Sequence, residues 1–355
     1  MPRDADSAVA MVQEQVQRAV RDRETLCITG GGTKQFLGRK PRGTPCSVRG
    51  IEGIVRYEPT ELVVSVRGGT PLKVLQDTLS ASGQMLPFEP PAFGEDATIG
   101  GTIASGLSGP SRPYRGAARD FVLGVRCLNG KGDALRFGGE VMKNVAGYDV
   151  ARLMTGSMGT LGILTEVSLK VLPLPACSET RIFEISSDDA FGLMTGLLSR
   201  ALPVSASAFS DGILRVRCSG SEVAVKAAGK ELGGELDAGG DIFWKQLKEQ
   251  QLEFFSGDLP LWRVNVKPQG RPIDHPGRSL IDWGGALYWI KADTSLKELA
   301  DLVRPYGGQV TGFRSINQDE DFSGPEGSVL RLNRQLKNAF DPAGIFNPGR
   351  LFVHD

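Results

Sequence analysis

Three consecutive glycines, Gly30, Gly31 and Gly32, stand in the stretch CITGGGTKQF, after a short apolar run and before Thr33 and Lys34. Glycine lets a backbone take positive φ or come within contact distance of a ligand, at about 0.5–1 kcal/mol relative to alanine in regular structure. Successive N–H groups without Cβ cover make an anion-binding concavity whose common occupant is a diphosphate. A plain turn is the other reading of such a segment. Two named phosphate motifs do not fit. A Walker A loop needs G-x-x-x-x-G-K-[ST], which Gly32-Thr33-Lys34-Gln35 breaks, and no G-x-G-x-x-G follows a strand as a Rossmann site requires. The stretch TGSMG has Thr155 where a G-x-S-x-G nucleophile elbow has its first glycine, and no histidine stands near it in sequence.

The chain that must position this loop has 355 residues, enough for two domains and a sizeable core. Its 41 basic and 41 acidic residues balance, so no field for nucleic acid or anionic lipid is evident. The first 20 residues read as an acid-bearing amphipathic helix, and neither a signal peptide nor a membrane span is legible. Cys27, Cys46, Cys127, Cys177 and Cys218 are scattered without a C-x-x-C pair. That spacing excludes a self-contained iron–sulfur or structural zinc site and fits buried thiols in a reducing compartment, the cytoplasm.

The glycines cluster between Gly30 and Gly162, separated by short β-like runs, and thin out after Pro175. Strands are expected at residues 26–29, 54–57, 62–66, 121–128, 134–137 and 161–172, and helices over TPLKVLQDTLSAS and YDVARLM. The NGKGD stretch reads as a hairpin turn. From Cys177 the order is strand, helix, strand, strand, helix, as a ferredoxin-like sandwich requires, and SLIDWGGALYWIKA with SLKELADLVRPYGG reads as the rest of a second such unit. The fold class is α+β, with divisions expected at residues 1–175, 176–326 and 327–355. No repeat period of 20–50 residues is present.

Several glycine clusters in one domain suggest an extended ligand lying along loops. The stretch from Thr98 to Pro175, with I-G-G, G-Y-D and G-T-L-G-I in that order after the glycine loop, resembles the FAD-binding domain of the vanillyl-alcohol oxidase/PCMH flavoprotein family. LKNAFDPAGIFNPGRL, from Leu336 to Leu351, is similar to the tail that ends D-2-hydroxyacid dehydrogenases of that family. GLSGPSR, RDFVLG and VMKNVAGYDVARLM are nearest to an FAD-binding subunit of the family's glycolate-oxidising complexes.

The resemblance implies a PCMH-type FAD domain, a ferredoxin-like cap and a tail that returns to the FAD domain. It implies that Thr29, Gly30, Gly31, Gly32 and Thr33 hold the FAD diphosphate, with Lys34 either adding charge or solvated. Thr98, Ile99, Gly100, Gly101 and Ala104, at the mouth of a short helix, would approach the diphosphate and ribityl chain from the other side. Gly159, Thr160, Gly162 and Ile163 would lie along the adenosine and flavin parts. Lys143, Gly147, Tyr148 and Asp149 match a stretch found beside the cofactor; a core aromatic and a helix cap are the other readings of Tyr148 and Asp149. Thr29 to Leu37 contains no histidine or cysteine, so FAD is expected to be noncovalent.

Oxidising a 2-hydroxy acid needs a base for the hydroxyl proton and cations for the carboxylate. Catalytic members of this group carry a histidine-rich metal site, whereas this chain has two histidines, His275 and His354, and no H-x-x-x-H. No catalytic residue and no metal site can be named. Arg263, Lys267, Arg271 and Arg278 are candidates for holding a carboxylate, or ordinary surface charges. The resemblance implies an FAD-binding subunit of a complex that oxidises glycolate to glyoxylate, beside a catalytic flavoprotein subunit and an iron–sulfur subunit. Contact with the inner face of the cell membrane would then come through the complex. A self-sufficient FAD-linked dehydrogenase of an acid such as D-lactate, and a flavin-free structural subunit, are the alternatives. The aromatics Phe254, Phe255, Trp262, Tyr288 and Trp289 are candidates for a docking surface or for core.

Overall fold

The computed structural model describes residues 5–139, 149–268, 270–314, 317, 319, 320, 322, 324 and 326–351. The chain divides into two compact units. The first contains Met1–Leu107, Ala117–Pro173 and Gly324–Asp355; the second contains Ser108–Gly116 and Leu174–Ser323.

In the first unit the helix Ala5–Asp22 buries Ala8, Val12, Val16 and Ala19, one stripe at helical spacing, in a cluster with Leu26, Cys46, Ile51, Leu128 and Phe346. Strands Leu26–Thr29 and Thr44–Ser47 pair in parallel, and Leu26 is also bridged in parallel to Phe346 of the tail. Beside them lies a five-stranded antiparallel sheet in the order Ile54–Glu58, Val63–Arg67, Ile163–Lys170, Val122–Leu128, Ala134–Gly138. Its central strand, Ile163–Lys170, is buried except at Lys170, so each polar side chain on it needs a partner. Ser168 Oγ meets Ser65 Oγ at 2.7 Å, Thr165 donates to the Arg126 carbonyl at 3.1 Å, and Glu166 faces Arg67 and Arg126 at 3.6 and 3.3 Å. The hairpin is closed by Asn129, whose Oδ1 accepts from the N–H groups of Lys131 and Asp133 at 2.9 and 2.8 Å.

The second unit is one eight-stranded antiparallel sheet made of two related halves. Strands Cys177–Glu184, Val204–Ser210, Ile213–Gly220 and Glu235–Leu236, with helices Ser187–Leu197 and Glu222–Leu232, run β-α-β-β-α-β. The fourth strand lies beside the first, followed by the third and the second, which is the ferredoxin-like arrangement. Leu261–Asn265, Arg278–Asp282, Leu287–Lys291 and Gln309–Gly312 repeat that spatial order with helix Leu296–Val303, but no helix joins the first two of these strands among the described residues. Phe209 pairs with Ile281 where the halves meet.

The aromatics considered for docking are core. Phe254, Trp262, Tyr288 and Trp289 are buried. The half-buried Phe255 packs edge-on against Phe254 and Trp289 at 5.1 and 5.7 Å, so the cap's own packing accounts for them. The segment Ser108–Gly116, interior to the run expected as one domain, packs within the second unit: Tyr114 Oη lies 2.9 Å from Ser207 Oγ, and Gly109 O accepts from the Trp283 indole N–H at 3.0 Å.

Candidate functional site

The strand Leu26–Thr29 ends at the triple glycine, and that loop lies directly against residues 96–98. A Cβ on Gly31 would sit 1.5 Å from the Asp96 carbonyl oxygen, and one on Gly30 would sit 2.2 Å from Thr98 Oγ1. Gly32 has φ +75°, a region costly for a side-chain-bearing residue. Thr98 caps the helix Ile99–Ser105, its Oγ1 accepting from Gly101 N–H at 3.3 Å. Gly100 N–H donates to Gly68 O at 2.7 Å, an approach that leaves 2.9 Å for a Cβ. The turn after Thr155 runs back along this helix: Gly156 N–H donates to Ile103 O at 3.0 Å and Met158 N–H to Ala104 O at 2.8 Å.

These close approaches line an open cleft whose walls come from several separate stretches of the chain. Thr29, Gly30, Gly31, Gly32, Thr33 and Lys34 form one wall. Thr98, Gly100, Gly101 and Ala104 form a second, and Gly159, Gly162 and Ile163 a third. Lys34 Nζ donates to the Ala92 carbonyl at 3.0 Å and lies 5.8 Å from the Phe93 ring centroid. Its charge is thus fixed to the protein at the wall.

Other residues expected at the cofactor are not among those lining this cleft. Ile99 is 1% exposed and part of the hydrophobic core, because its place in the first helical turn faces inward. Thr160 is buried behind the wall; its hydroxyl donates to Ser157 O at 2.7 Å and its carbonyl accepts from Lys337 Nζ at 2.8 Å. Asp149 caps the helix Val150–Leu153, accepting from Arg152 N–H at 3.2 Å and pairing with Arg152 Nε at 3.0 Å. Lys143, Gly147 and Tyr148 lie outside the described residues.

Two lining residues were not singled out from the sequence. Asn347 accepts from Ile28 N–H at 2.8 Å and donates to Met158 O at 2.7 Å, pinning the tail to both the glycine-loop strand and the 158–163 loop. Arg350 is 7% exposed, and its guanidinium reaches the carbonyls of Lys34 and Gln35 at 3.3 Å. Its Nε has no partner, and burial lowers its pKa from the usual arginine value. No carboxylate forms an ion pair with it among the described residues, so this cation lines the cleft without a counter-charge. The NPGR run of the tail, an exposed-type residue set closing a glycine turn, was the available signal.

No group of three or more His, Cys, Asp or Glu side chains able to hold a metal occurs among the described residues. His275 has Nε2 2.8 Å from Ser279 Oγ and Nδ1 3.1 Å from the Pro276 carbonyl. No described helix is long and apolar enough to cross a membrane.

Comparison with known proteins agrees with this architecture. A family model described as FAD binding domain matches residues 7–138, and one described as FAD linked oxidases, C-terminal domain, matches residues 286–351. The chain is 47% identical over 353 residues to glycolate oxidase subunit GlcE of Escherichia coli (strain K12), covering 99% of both chains. It is 32% identical over 163 residues to glycolate oxidase subunit GlcD of Bacillus subtilis (strain 168), covering 45% of this chain and 34% of that one. A solved structure of alkyldihydroxyacetonephosphate synthase superposes with a TM-score of 0.65 at 17% identity, over 95% of this chain and 74% of that chain, which shows a shared fold. The chain belongs to the PCMH-type FAD-linked oxidases. It is an FAD-dependent oxidoreductase.

The cleft suits that cofactor on its own chemistry. Its walls are glycine backbone where a Cβ has no room, and its buried Arg350, whose Nε is unsatisfied and which has no carboxylate partner among the described residues, suits an anion such as a diphosphate.

Proposed function

We propose that the glycine-walled cleft holds FAD noncovalently and that the chain serves as the FAD-binding subunit of a complex oxidising glycolate to glyoxylate. A catalytic flavoprotein subunit and an iron–sulfur subunit complete that complex. The observation that carries the substrate assignment is the 47% identity, over 99% of both chains, to a protein named as a glycolate oxidase subunit. The similarity to a second protein named as a glycolate oxidase subunit supports a multi-subunit assembly.

When bound, FAD supplies the acceptor for the two electrons released as a 2-hydroxy acid becomes a 2-oxo acid. The chain's own residues bind and orient it. Main-chain N–H groups of Gly30, Gly31 and Gly32, with Thr33 beside them, hold the diphosphate, and Arg350 offsets its charge. Gly100, Gly101 and Ala104 bring backbone against the opposite side, and Gly159, Gly162 and Ile163 line the remainder. Among the described lining residues there is no histidine, cysteine or tyrosine able to form a flavin bond, which supports noncovalent attachment. We assign the assembly to the cytoplasm, with any contact at the inner face of the membrane made through its partners; five free cysteines support a reducing compartment.

The test is purification of the native assembly with identification of its subunits and flavin, then glycolate-dependent dye reduction. Copurification with a second flavoprotein and an iron–sulfur protein, and turnover of glycolate above D-lactate, is the expected result. Turnover of D-lactate above glycolate by the chain alone overturns it in favour of a self-sufficient dehydrogenase. A purified chain with no flavin bands overturns it in favour of a structural subunit.

A further inference from the structure

The tail runs beside the strand Leu26–Thr29 as a parallel neighbour for one rung. Leu26 N–H donates to Ile345 O at 2.7 Å and Leu26 O accepts from Asn347 N–H at 3.0 Å, the two bonds of the Leu26–Phe346 bridge. A continuing ladder would next join Ile28 N–H to the main-chain carbonyl of Asn347. That carbonyl is used otherwise, because Pro348 and Gly349, the latter at φ +77°, turn the chain and Asn347 O accepts from Arg350 N–H at 3.2 Å. The side chain of Asn347 supplies the missing rung: its Oδ1 accepts from Ile28 N–H at 2.8 Å.

The other end of the same carboxamide is used as well. Its Nδ2 donates to Met158 O at 2.7 Å, and a Cβ on Gly159 would stand 2.8 Å from it. Ile28, Met158 and Gly159 all line the cleft, on walls far apart in sequence. One planar amide, 3% exposed, therefore joins the strand that leads into the glycine loop to the loop of another wall. Asparagine is the residue this needs. It stands at φ +42°, in the left-handed region that asparagine enters more readily than most residues with a side chain. Aspartate lacks the donor, leucine lacks donor and acceptor, and glutamine carries its amide one methylene further out.

We propose that Asn347 is a positioning residue of the cofactor site: its carboxamide is a strut that fixes the walls at Ile28 and Met158 relative to each other and lets the tail turn so that Arg350 reaches the cleft. The assignment rests on the cleft holding FAD, as proposed above. The strut bonds to main chain in both walls. Its loss therefore alters how tightly and in what surroundings the flavin is held, while the core clusters that fold the unit stay intact.

The test is titration of the full-length apoprotein with FAD, followed by flavin fluorescence. Visible circular dichroism of the saturated complex reports the surroundings of the flavin ring, and near-ultraviolet circular dichroism reports the fold. Asn347→Leu and Asn347→Asp are expected to bind FAD at least tenfold more weakly than the parent and to give different visible bands at saturation. Leu299→Ala, in the core of the second unit, lowers stability without touching the strut and is expected to keep the parent's affinity and bands. If Asn347→Leu does not fold, Asn347→Asp, which keeps an acceptor for Ile28 N–H, carries the comparison. Parental affinity and bands in a folded Asn347 variant overturn the strut. So does an equal loss in Leu299→Ala, since the effect is then one of stability, and so does failure of both Asn347 variants to fold, which makes Asn347 a residue of the fold. A parent chain that takes up no FAD overturns the cofactor reading of the cleft itself.

Discussion

Lys337 and Asp341 form an ion pair one helical turn apart at the end of the helix Gly327–Phe340, and each is 1% exposed. Every donor of the ammonium is used: beyond Asp341 it donates to the carbonyls of Thr160 and Phe346, both at 2.8 Å. Asp341 in turn accepts from Ile345 N–H at 3.1 Å and Phe346 N–H at 2.8 Å. The pair thereby ties the tail to the loop that supplies Gly159, Gly162 and Ile163 to the cleft.

Removing one partner of such a pair leaves the other charge buried and uncompensated, at about 3–5 kcal/mol. Lys337→Met is expected to lower unfolding free energy by that amount in urea titrations, and Lys337→Met with Asp341→Leu to recover part of it. A single variant within about 0.5 kcal/mol of the parent would refute the clamp.

Gly31→Val and Gly100→Val are expected to lose FAD. Neither glycine has positive φ; the obstacle is the Asp96 carbonyl 1.5 Å, and the Gly68 carbonyl 2.9 Å, from where a Cβ would stand. The backbone must therefore move, and the cleft wall with it. Flavin absorbance of the purified variants measures this, and a full flavin complement in either would show that the wall tolerates the shift.

Arg350→Met is expected to act in opposite directions on the two forms. Without FAD, replacing a buried cation that lacks a counter-charge leaves the melting temperature unchanged or raises it. With FAD, losing a charged hydrogen-bond donor weakens binding by roughly 10–100-fold, the equivalent of about 1.5–3 kcal/mol. Fluorescence titration of FAD against the apoprotein decides, and unaltered affinity would remove Arg350 from the site.

The order of elements was legible because the apolar patterns are strong: the strands at 26–29, 122–128 and 134–138 and the β-α-β-β-α-β half of the cap follow alternation and helical spacing. The short strand Thr44–Ser47 was not, since TPCS has no alternation and exists only by pairing with Leu26–Thr29. Glycine clusters marked where backbones meet, but not which neighbours turn inward. Ile99 next to Gly100 goes to the core, and Thr160 next to Gly159 goes behind the wall. Asn347 and Arg350 come from a segment about 190 residues beyond the last glycine cluster, and only the tertiary fold brings them to the cleft.

Burial raises the Cys46 thiol from 9.0 to about 11, so the neutral form is favoured in the folded chain. The folded state then holds its proton to higher pH than the unfolded state. The stabilisation is complete below about pH 9 and is lost as pH rises through 11, on the order of 3 kcal/mol for two pKa units. Urea titrations at pH 8 and pH 11 should show a smaller decline for Cys46→Ala than for the parent, and iodoacetamide should spare Cys46 in the folded chain at pH 8.5. Rapid labelling there would contradict the burial.

Turnover of glycolate is expected to require partner subunits. A base is needed for the hydroxyl proton, and the described histidine of this chain is engaged: His275 faces Ser279 Oγ and the Pro276 carbonyl within the cap. Electrons must then leave the reduced flavin. The five cysteines are dispersed: Cys46, Cys127 and Cys218 are buried in separate clusters, so they do not assemble an iron–sulfur centre. The similarity across nearly the whole length to a protein named as a subunit points the same way. Dye reduction with glycolate should therefore be at background for the isolated FAD-loaded chain and appear when the other subunits are coexpressed. Isolated-chain turnover at the rate of the full assembly would show that one flavin subunit supplies base, cofactor and electron exit by itself.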